Sequence, residues 1–465
     1  MQYISTRGGT VPLTFGGVLL EGLARDGGLF VPQSWPQINL SEFDELRGAS
    51  YETTAVKVLQ SLVGTDFRYE ELLELCGQAY RSFSHSAVAP LKQIGPSEWL
   101  LELFHGPTLA FKDFALQLLG LMFQHALARD QRRITIVGAT SGDTGSAAIH
   151  ACAGRANIDI FVLYPNGRVS EIQRRQMTTV NETNVNAIAI NGSFDDCQAI
   201  VKGLFGDLNL RRQLSLAAIN SINWARIAAQ TVYYIYSGLR LGARSQPVRF
   251  VVPTGNFGDI YAGFAAAQMG LPVAELVVAT NQNDILARFF ETGRYERGDV
   301  YATLSPSMDI QVASNFERLL FEIHDRDGAY LAEMMSKFQL MQGIAVEADR
   351  LEELNPRFRA GRASELETLS AMSDIMTSCG EVIDPHTAVG VAIGRRLVAS
   401  PRMQTVYLAT AHPAKFPDAV VRAINQRPSL PAQLEPILTA NEKFEVLPND
   451  LEAVKSFIRE RAAAP

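Results

Sequence analysis

Cysteine is scarce in this sequence and is not arranged in pairs. Among the 465 residues there are four cysteines, Cys76, Cys152, Cys197 and Cys379, and no two of them form a CxxC motif. Disulfide frameworks have many cysteines for the length of the chain, and cysteine-based zinc sites have closely spaced pairs such as CxxC. The pattern therefore argues against both kinds of site. It predicts buried free thiols, a reducing compartment and no bound metal.

Excess positive charge and long apolar runs are also absent. The formal net charge is -7, which argues against nucleic acid and anionic membranes as partners. The most apolar stretch, ALQLLGLMFQHALA, is interrupted by Gln117, Gln124 and His125. It is also shorter than the roughly 20 residues that cross a bilayer. Because the start MQYISTRGGTVPL lacks the layout of a signal peptide, we expect a cytoplasmic protein.

What the sequence does contain is a regular alternation of strand and helix patterns. A chain of 465 residues is long enough for two or three domains. Residues 1 to about 85 predict a mostly helical region. In 132–165 and again in 247–281, a β-branched run is followed by a glycine loop, an alanine-rich helix and a second apolar run. Such βαβ units predict an α/β fold with parallel sheets covered on both faces.

Two glycine-containing loops, GATSGDTGSAA in 138–148 and VPTGNFGD in 252–259, follow predicted strands. Backbone N–H groups in such turns, together with a helix N-terminus, can bind an anion. Either loop alone is equally compatible with a plain strand-to-helix turn or a capped helix. Together they are more informative, because the carboxyl ends of parallel strands border one crevice. That crevice would hold two negatively charged groups.

A lysine in an apolar segment adds a third element. In ELFHGPTLAFKDFALQ, Lys112 lies next to Phe111 and close to Phe114. Burying an unpaired ammonium costs on the order of several kcal/mol or removes its proton. A helix lysine extending its amine to solvent is the alternative. Since an amine and two anion sites suit pyridoxal phosphate and an amino-acid substrate, we predict that Lys112 is held as an imine to the cofactor's aldehyde.

Several longer motifs resemble those of one known family. They are YISTRG, DGGLFVP, HGPTLAFKDF, TSGDTGSAA, NSINWARI, PTGNFGD, SPSMDIQVASNFERLL, DPHTAVG and ATAHPAKF. In this order, from residue 3 to about 425, they closely resemble threonine synthase of the bacterial and fungal type. The resemblance implies a fold-type II, tryptophan synthase β-like enzyme that uses pyridoxal 5′-phosphate to convert O-phospho-L-homoserine and water into L-threonine and phosphate, the last step of threonine biosynthesis.

The resemblance also implies a domain organisation. An N-terminal region would span 1–85, a catalytic core 86–440 and a C-terminal tail 441–465. Within the core, a smaller mobile domain at about 113–205 would face a larger one, each built on a parallel sheet. We expect a monomer or a dimer that acts on a small molecule.

Site residues follow from the matching motifs. The cofactor would be bound by Lys112, Asp143, Gly255, Asn256, Phe257, Gly258, Asp259 and Thr410. The substrate would be bound by Thr140, Ser141 and Thr144 at its carboxylate and by Asn220, Ser221 and Arg226 at its phosphate. A guanidinium suits a bidentate phosphate contact, although Arg226 alone also fits a surface ion pair on a helix.

Three further expectations concern single side chains. Asp259 would cap backbone amides, because a carboxylate pointing inward would repel the cofactor phosphate. The hydroxyl of Thr410 would lie beside the pyridine nitrogen, or else bond its own backbone. Asp143 would contact the ring hydroxyl through a shared proton. The histidines His105, His386 and His412 receive no catalytic role, since each also fits a hydrogen-bonded core position.

Other functions remain open from the sequence alone. A serine or threonine dehydratase, or a phospho-lyase that releases 2-oxobutyrate, would share the fold. A non-catalytic cofactor-binding protein could also share it, but would not need Lys112, the TSGDTG loop and Arg226 together. The product formed from O-phosphohomoserine distinguishes these alternatives.

Overall fold

The computed structural model describes residues 1–219, 221–354, 356–397, 400 and 402–463. In chain order, its strands are β1 (Tyr3–Ser5), β2 (Phe30–Pro32), β3 (Leu91–Gly95), β4 (Glu98–Glu102), β5 (Ile134–Ala139), β6 (Ile158–Pro165), β7 (Val185–Asn191), β8 (Leu216–Ala217), β9 (Val248–Pro253), β10 (Val273–Thr280), β11 (Arg294–Glu296), β12 (Gly343–Ala345), β13 (Phe358–Arg362), β14 (Thr405–Ala409) and β15 (Glu445–Pro448).

The α-helices are α1 (Phe15–Glu21), α2 (Leu40–Leu46), α3 (Tyr51–Val63), α4 (Tyr69–Tyr80), α5 (Lys112–Arg129), α6 (Asp143–Cys152), α7 (Glu171–Thr178), α8 (Phe194–Gly206), α9 (Leu208–Gln213), α10 (Trp224–Arg240), α11 (Gly258–Gln268), α12 (Ile285–Thr292), α13 (Phe316–Ile323), α14 (Gly328–Met341), α15 (Ala348–Leu354), α16 (Glu365–Cys379), α17 (Pro385–Arg396), α18 (Pro417–Ile424) and α19 (Leu451–Arg461). Short 3₁₀ helices span Pro306–Met308, Pro413–Lys415 and Ala432–Leu438.

Two sheets organise these elements. Among the described residues, one sheet has the order β13-β10-β9-β14-β4-β3 and is parallel except for the β3–β4 pair. The other has the order β15-β7-β6-β5-β8 and is parallel throughout. Central strands such as β6 and β9 are buried along their whole length, because helices cover both faces. The predicted α/β architecture with two parallel sheets is confirmed.

The ends of the chain pack against this framework in different ways. Residues 1–80 contain α1–α4 and the antiparallel pair β1–β2, and α3 packs on α4 and α10. At the other end, β15 pairs with β7, while Val454 and Ile458 of α19 are fully buried in the cluster that contains Leu204 of α8. The C-terminal strand and helix thus complete the second sheet. The boundaries 1–85, 86–440 and 441–465 stay a prediction.

Two further predictions from the sequence concern the cysteines and membrane-spanning helices. Cys76, Cys152 and Cys197 are buried free thiols, whereas Cys379 is half-buried. In the described part of the chain, none of the helices combines the length and the apolar character that a membrane crossing requires.

Candidate active site

One cavity is lined by residues that follow strands of both sheets. Residues at the carboxyl ends of β9 and β14 contribute to its wall, and so do residues that follow β5. It encloses about 700 Å³ of empty space, including volume open to solvent. The predicted site residues in its wall are Lys112, Asp143, Thr144, Ser221, Arg226, Gly255, Asn256, Phe257, Gly258, Asp259 and Thr410. The fold therefore brings most of the predicted residues to one place.

Two predicted residues among those described are not part of this wall. The Oγ1 atom of Thr140 accepts hydrogen bonds from the N–H groups of Gly142 and Gly145, both at 2.9 Å, so it holds the loop in shape. Ser141 is exposed and does not line the cavity. Asn220 lies outside the described residues. The side chains of Thr140 and Ser141 are therefore not placed to contact a ligand in the cavity.

The loop between β9 and α11 presents unused backbone donors. No acceptor in the described part of the chain takes a hydrogen bond from the N–H groups of residues 255–258. Phe257 adopts a left-handed conformation with a φ of 63°, and its ring is buried edge-on against Phe316. A Cβ at position 255 would approach the carbonyl oxygen of Ser307 to 3.0 Å. The loop is thus a tight, glycine-dependent cradle for an anion.

The prediction that Asp259 caps backbone amides is wrong. Its side chain caps no backbone amide; instead Oδ1 accepts hydrogen bonds from the hydroxyls of Tyr233 at 2.5 Å and Tyr234 at 2.9 Å. Its other oxygen, Oδ2, is buried and has no protein partner. Burial raises the pKa of Asp259 to about 6, although the two tyrosine hydroxyls and Lys112 act in the opposite direction. The carboxylate of Asp259 is therefore bound by two tyrosine hydroxyls of α10, where backbone amides were predicted.

The Asp259→Asn variant is expected to change how stability depends on pH. Because the folded pKa is raised, the carboxyl stabilises the fold below its unfolded pKa of about 3.9 and loses this contribution as the pH rises through about 6. Between pH 4 and 7 the cofactor-free variant should gain up to about 3 kcal/mol relative to wild type. Urea denaturation of both proteins across this pH range measures the difference. A difference that does not vary with pH would contradict the shifted pKa.

Arg226 is a buried cation with unused hydrogen-bonding capacity. It lies in the first turn of α10, where the side chain of Asn223 caps the helix by accepting from the N–H of Ala225. Only 4% of Arg226 is exposed, and its Nε and Nη1 atoms have no protein partner. Burial lowers its pKa to about 10. A surface ion pair is therefore excluded, and an anionic ligand would satisfy these donors.

Lys112 begins α5 and is buried beside a carboxylate. Its Nζ atom lies 3.4 Å from Oδ2 of Asp143 and 4.7 Å from the centre of the Phe111 ring. Burial lowers the pKa of Lys112; the nearby Lys415 and Arg226 act in the same direction, and Asp143 opposes them. The side chain does not extend to solvent. Its amine therefore loses a proton more readily than that of an exposed lysine.

Asp143 contacts two buried lysines, Lys112 and Lys415. Burial alone would raise its pKa, but the ammonium groups of Lys415 and Lys112 outweigh burial and hold the pKa below its usual range. Oδ1 lies 2.6 Å from Nζ of Lys415 and accepts a hydrogen bond from Gln173 at 2.9 Å. Asp143 is therefore an ionised carboxylate held by two lysines.

The three histidines occupy different positions. His386 lines the cavity: its Nδ1 lies 2.8 Å from Oδ1 of Asp384, and its Nε2 accepts from the N–H of Ser307 at 3.3 Å. His105 contacts Glu102, and His412 accepts from a backbone N–H. Burial lowers the pKa of His412 to about 4. His105 and His412 do not line the cavity, so only His386 lies at the site.

Some residues of this region were not predicted from the sequence, among them Gln230, Ser307 and Lys415. Gln230 and Ser307 line the cavity, and Lys415 reaches Asp143 from just outside the wall. Lys415 carries the same signal that singled out Lys112, a lysine in an apolar stretch, here ATAHPAKF. No sequence signal identified Gln230 or Ser307. Across the described residues, no group of three or more His, Cys, Asp or Glu side chains is placed to hold a metal ion.

The cavity fits pyridoxal phosphate and one further anion. An amine with a lowered pKa, free amides at 255–258 and a hydroxyl at Thr410 suit the aldehyde, phosphate and ring of the cofactor. The unpaired donors of Arg226 remain for a second anionic group.

Comparisons with known proteins agree with this chemistry. The model described as Threonine synthase N terminus matches residues 2–80, the Pyridoxal-phosphate dependent enzyme model matches 87–349, and the Threonine synthase, C-terminal model matches 387–458. The threonine synthase of Pseudomonas aeruginosa is 50% identical over 459 residues, covering 98% of each chain. That of Saccharomyces cerevisiae is 41% identical over 503 residues, covering 99% of this chain and 98% of its own.

Solved structures give the same result. The crystal structure of pyridoxal phosphate-bound threonine synthase from Brucella melitensis is 50% identical, with a TM-score of 0.97 and 100% of both chains covered. The yeast threonine synthase structure is 39% identical, with a TM-score of 0.94, 99% of this chain and 98% of that chain covered. The predicted resemblance is confirmed. The chain belongs to the threonine synthase family of pyridoxal phosphate-dependent enzymes.

Proposed function

We propose that this protein converts O-phospho-L-homoserine and water into L-threonine and phosphate, in the cytoplasm and as the last step of threonine biosynthesis. The observation that carries the proposal is the pair of unpaired donors on buried Arg226, in the same cavity as Lys112 and the free amides of 255–258. One phosphate site serves the cofactor. The second indicates a substrate that carries its own phosphate.

The same cavity offers a partner for each part of the cofactor. The N–H groups of 255–258 would bind its phosphate, the Thr410 hydroxyl would lie beside its ring nitrogen, and Lys112 would hold its aldehyde carbon. Asp143 would face the ring hydroxyl. Bound there, pyridoxal phosphate supplies an electron sink for charge that develops at substrate carbons. A hydroxyl at Thr410, unlike a carboxylate, leaves the ring nitrogen largely unprotonated.

The substrate is held at both of its anionic ends. The backbone N–H groups of Asp143 and Thr144 have no acceptor in the described part of the chain and begin α6. With the Thr144 hydroxyl, they bind the substrate carboxylate. Arg226 and Ser221 bind the substrate phosphate through charge-assisted hydrogen bonds. The two contacts fix the carbon chain between them, next to Nζ of Lys112.

Proton transfer is the main chemical task of the side chains. The reaction removes a proton from Cα and one from Cβ, releases phosphate from Cγ and delivers a proton to Cγ. Water then adds at Cβ as a hydroxyl, its other proton balances the one that the departing phosphate takes up, and Cα regains a proton. We assign these transfers to Nζ of Lys112, because burial brings its pKa down toward the working pH, where an amine both accepts and donates protons.

A lyase or dehydratase with the same fold is the alternative, and the product decides between them. Purified protein with pyridoxal phosphate is mixed with O-phosphohomoserine, and phosphate, threonine and 2-oxobutyrate are each quantified. We expect one threonine for each phosphate. Phosphate with 2-oxobutyrate and no threonine would assign a phospho-lyase. No phosphate release would contradict the proposal and favour a dehydratase or a non-catalytic protein.

A further inference from the structure

A second buried lysine contacts Asp143, at the carboxylate oxygen that Lys112 does not contact. Lys415 ends the 3₁₀ helix Pro413–Lys415, which follows β14, and none of its surface is exposed. Its Nζ atom lies 2.6 Å from Oδ1 of Asp143 and donates to the carbonyl oxygen of Thr108 at 2.8 Å. Asp143 begins α6 on the second sheet, so the ion pair also connects the two sheets.

The partners of Asp143 show why this lysine matters. Its two cations are Lys415 at 2.6 Å and Lys112 at 3.4 Å. Its other partners, Gln173 at 2.9 Å and Ser307 at 3.5 Å, are neutral. When the amine of Lys112 is uncharged, Lys415 is the one cation among the described residues that still contacts the carboxylate. A buried carboxylate without a cation is driven to take up a proton.

Other titratable groups close to Lys415 have different partners or are uncharged near pH 7. Asp113 of α5 accepts from the N–H and hydroxyl of Thr108, both at 2.8 Å, and from Gln117 at 3.1 Å. Burial, with a smaller contribution from the charge of Lys415, lowers the pKa values of His150 and His412 to about 4. Both imidazoles are therefore neutral near pH 7. Asp143 is the anion that Lys415 contacts directly.

We propose that Lys415 is a positioning residue that keeps Asp143 ionised throughout the reaction, so that Asp143 accepts a hydrogen bond from the ring hydroxyl of the cofactor while Lys112 moves protons. The inference rests on the proposed function for the placement of the cofactor ring. It assigns different roles to the two buried lysines. Lys112 changes its bonding state during turnover, whereas Lys415 holds a constant charge opposite Asp143.

The test compares four variants by cofactor binding and absorbance. Lys415→Met removes the charge, Lys415→Arg keeps it, and the double variant K415M/D143N removes both charges. Lys92→Met is the control, because Lys92 pairs with Glu381 at 2.7 Å on the surface. For each protein, the dissociation constant of pyridoxal phosphate and the absorbance of the bound cofactor are measured from roughly pH 5 to 9.

The expected results differ between the variants. K415M should bind the cofactor at least about tenfold more weakly and show a new pH-dependent absorbance step, because Asp143 now titrates in this range. K415R and Lys92→Met should show no new step. K415M/D143N should also lack the step, since it has no carboxyl to titrate. If K415M does not fold, the double variant should recover folding because no unpaired carboxylate is left.

Three results would overturn the proposal. They are wild-type affinity and spectrum in K415M, the same pH step in K415M/D143N as in K415M, or a failure of the double variant to rescue folding. These readouts do not involve threonine. A wild-type protein that binds the cofactor but makes no threonine would therefore refute the proposed function and leave this test intact.

Discussion

The Lys112→Ala variant loses turnover of O-phosphohomoserine by at least about 10⁴-fold, because it removes the group that moves each proton. The visible absorbance of the attached cofactor is lost with it. Lys415 is not expected to substitute, since its amine is engaged by Asp143 and by the carbonyl of Thr108. Steady-state assays and absorbance spectra of the reconstituted variant measure both effects.

Chemical mapping provides the matching control. Borohydride reduction of the wild-type protein, followed by mass spectrometry of its peptides, should find the reduced cofactor on Lys112. Lys92→Ala, which alters an exposed lysine, should keep wild-type turnover and spectrum. Reduced cofactor on any other lysine would show that Lys112 is not the anchor.

Arg226→Ala is expected to lower kcat/KM for O-phosphohomoserine by about ten- to a hundred-fold or more, because charge-assisted hydrogen bonds contribute roughly 1.5–3 kcal/mol each. The unpaired Nε and Nη1 atoms of Arg226 are the donors that would be lost. Affinity for pyridoxal phosphate should barely change, since its phosphate lies on the loop 255–258. Kinetics with the phosphorylated substrate and binding of an unphosphorylated amino acid separate the two contributions.

The same helix offers a matched control for this variant. Arg240, also on α10, is exposed, stacks on the ring of Tyr236 and donates to the carbonyl of Ala49. Arg240→Ala should leave kcat/KM unchanged. If Arg226→Ala weakens phosphorylated and unphosphorylated ligands equally, or loses the cofactor, then Arg226 has a structural role and does not bind the substrate phosphate.

Local sequence patterns predicted the elements of the site where backbone geometry is sufficient. A glycine loop between a strand and a helix exposes N–H groups wherever it occurs, so 255–258 could be identified without a structure. The aromatic neighbours of Lys112 in the sequence likewise identified it as a candidate site residue. In the fold, strand and helix alternation predicted parallel sheets because parallel strands need crossover connections.

Partners that are distant in sequence could not be predicted in this way. The contacts of Asp143 with Lys415 and of Asp259 with Tyr233 join different elements, and only the packing of those elements creates them. Thr140 is turned into its own loop because two N–H groups there need an acceptor. The short strand β15 carries little apolar pattern, yet its pairing with β7 extends the second sheet.

The proposed reaction is tested most directly by following the oxygen of water into the products. Wild-type protein, pyridoxal phosphate and O-phosphohomoserine are incubated in water enriched in oxygen-18, and early products are analysed by mass spectrometry. Since phosphate leaves from Cγ with its own oxygen and water adds at Cβ, we predict one labelled oxygen in threonine and none in the released phosphate. Label in the phosphate with formation of homoserine, or phosphate release without labelled threonine, would contradict the proposal.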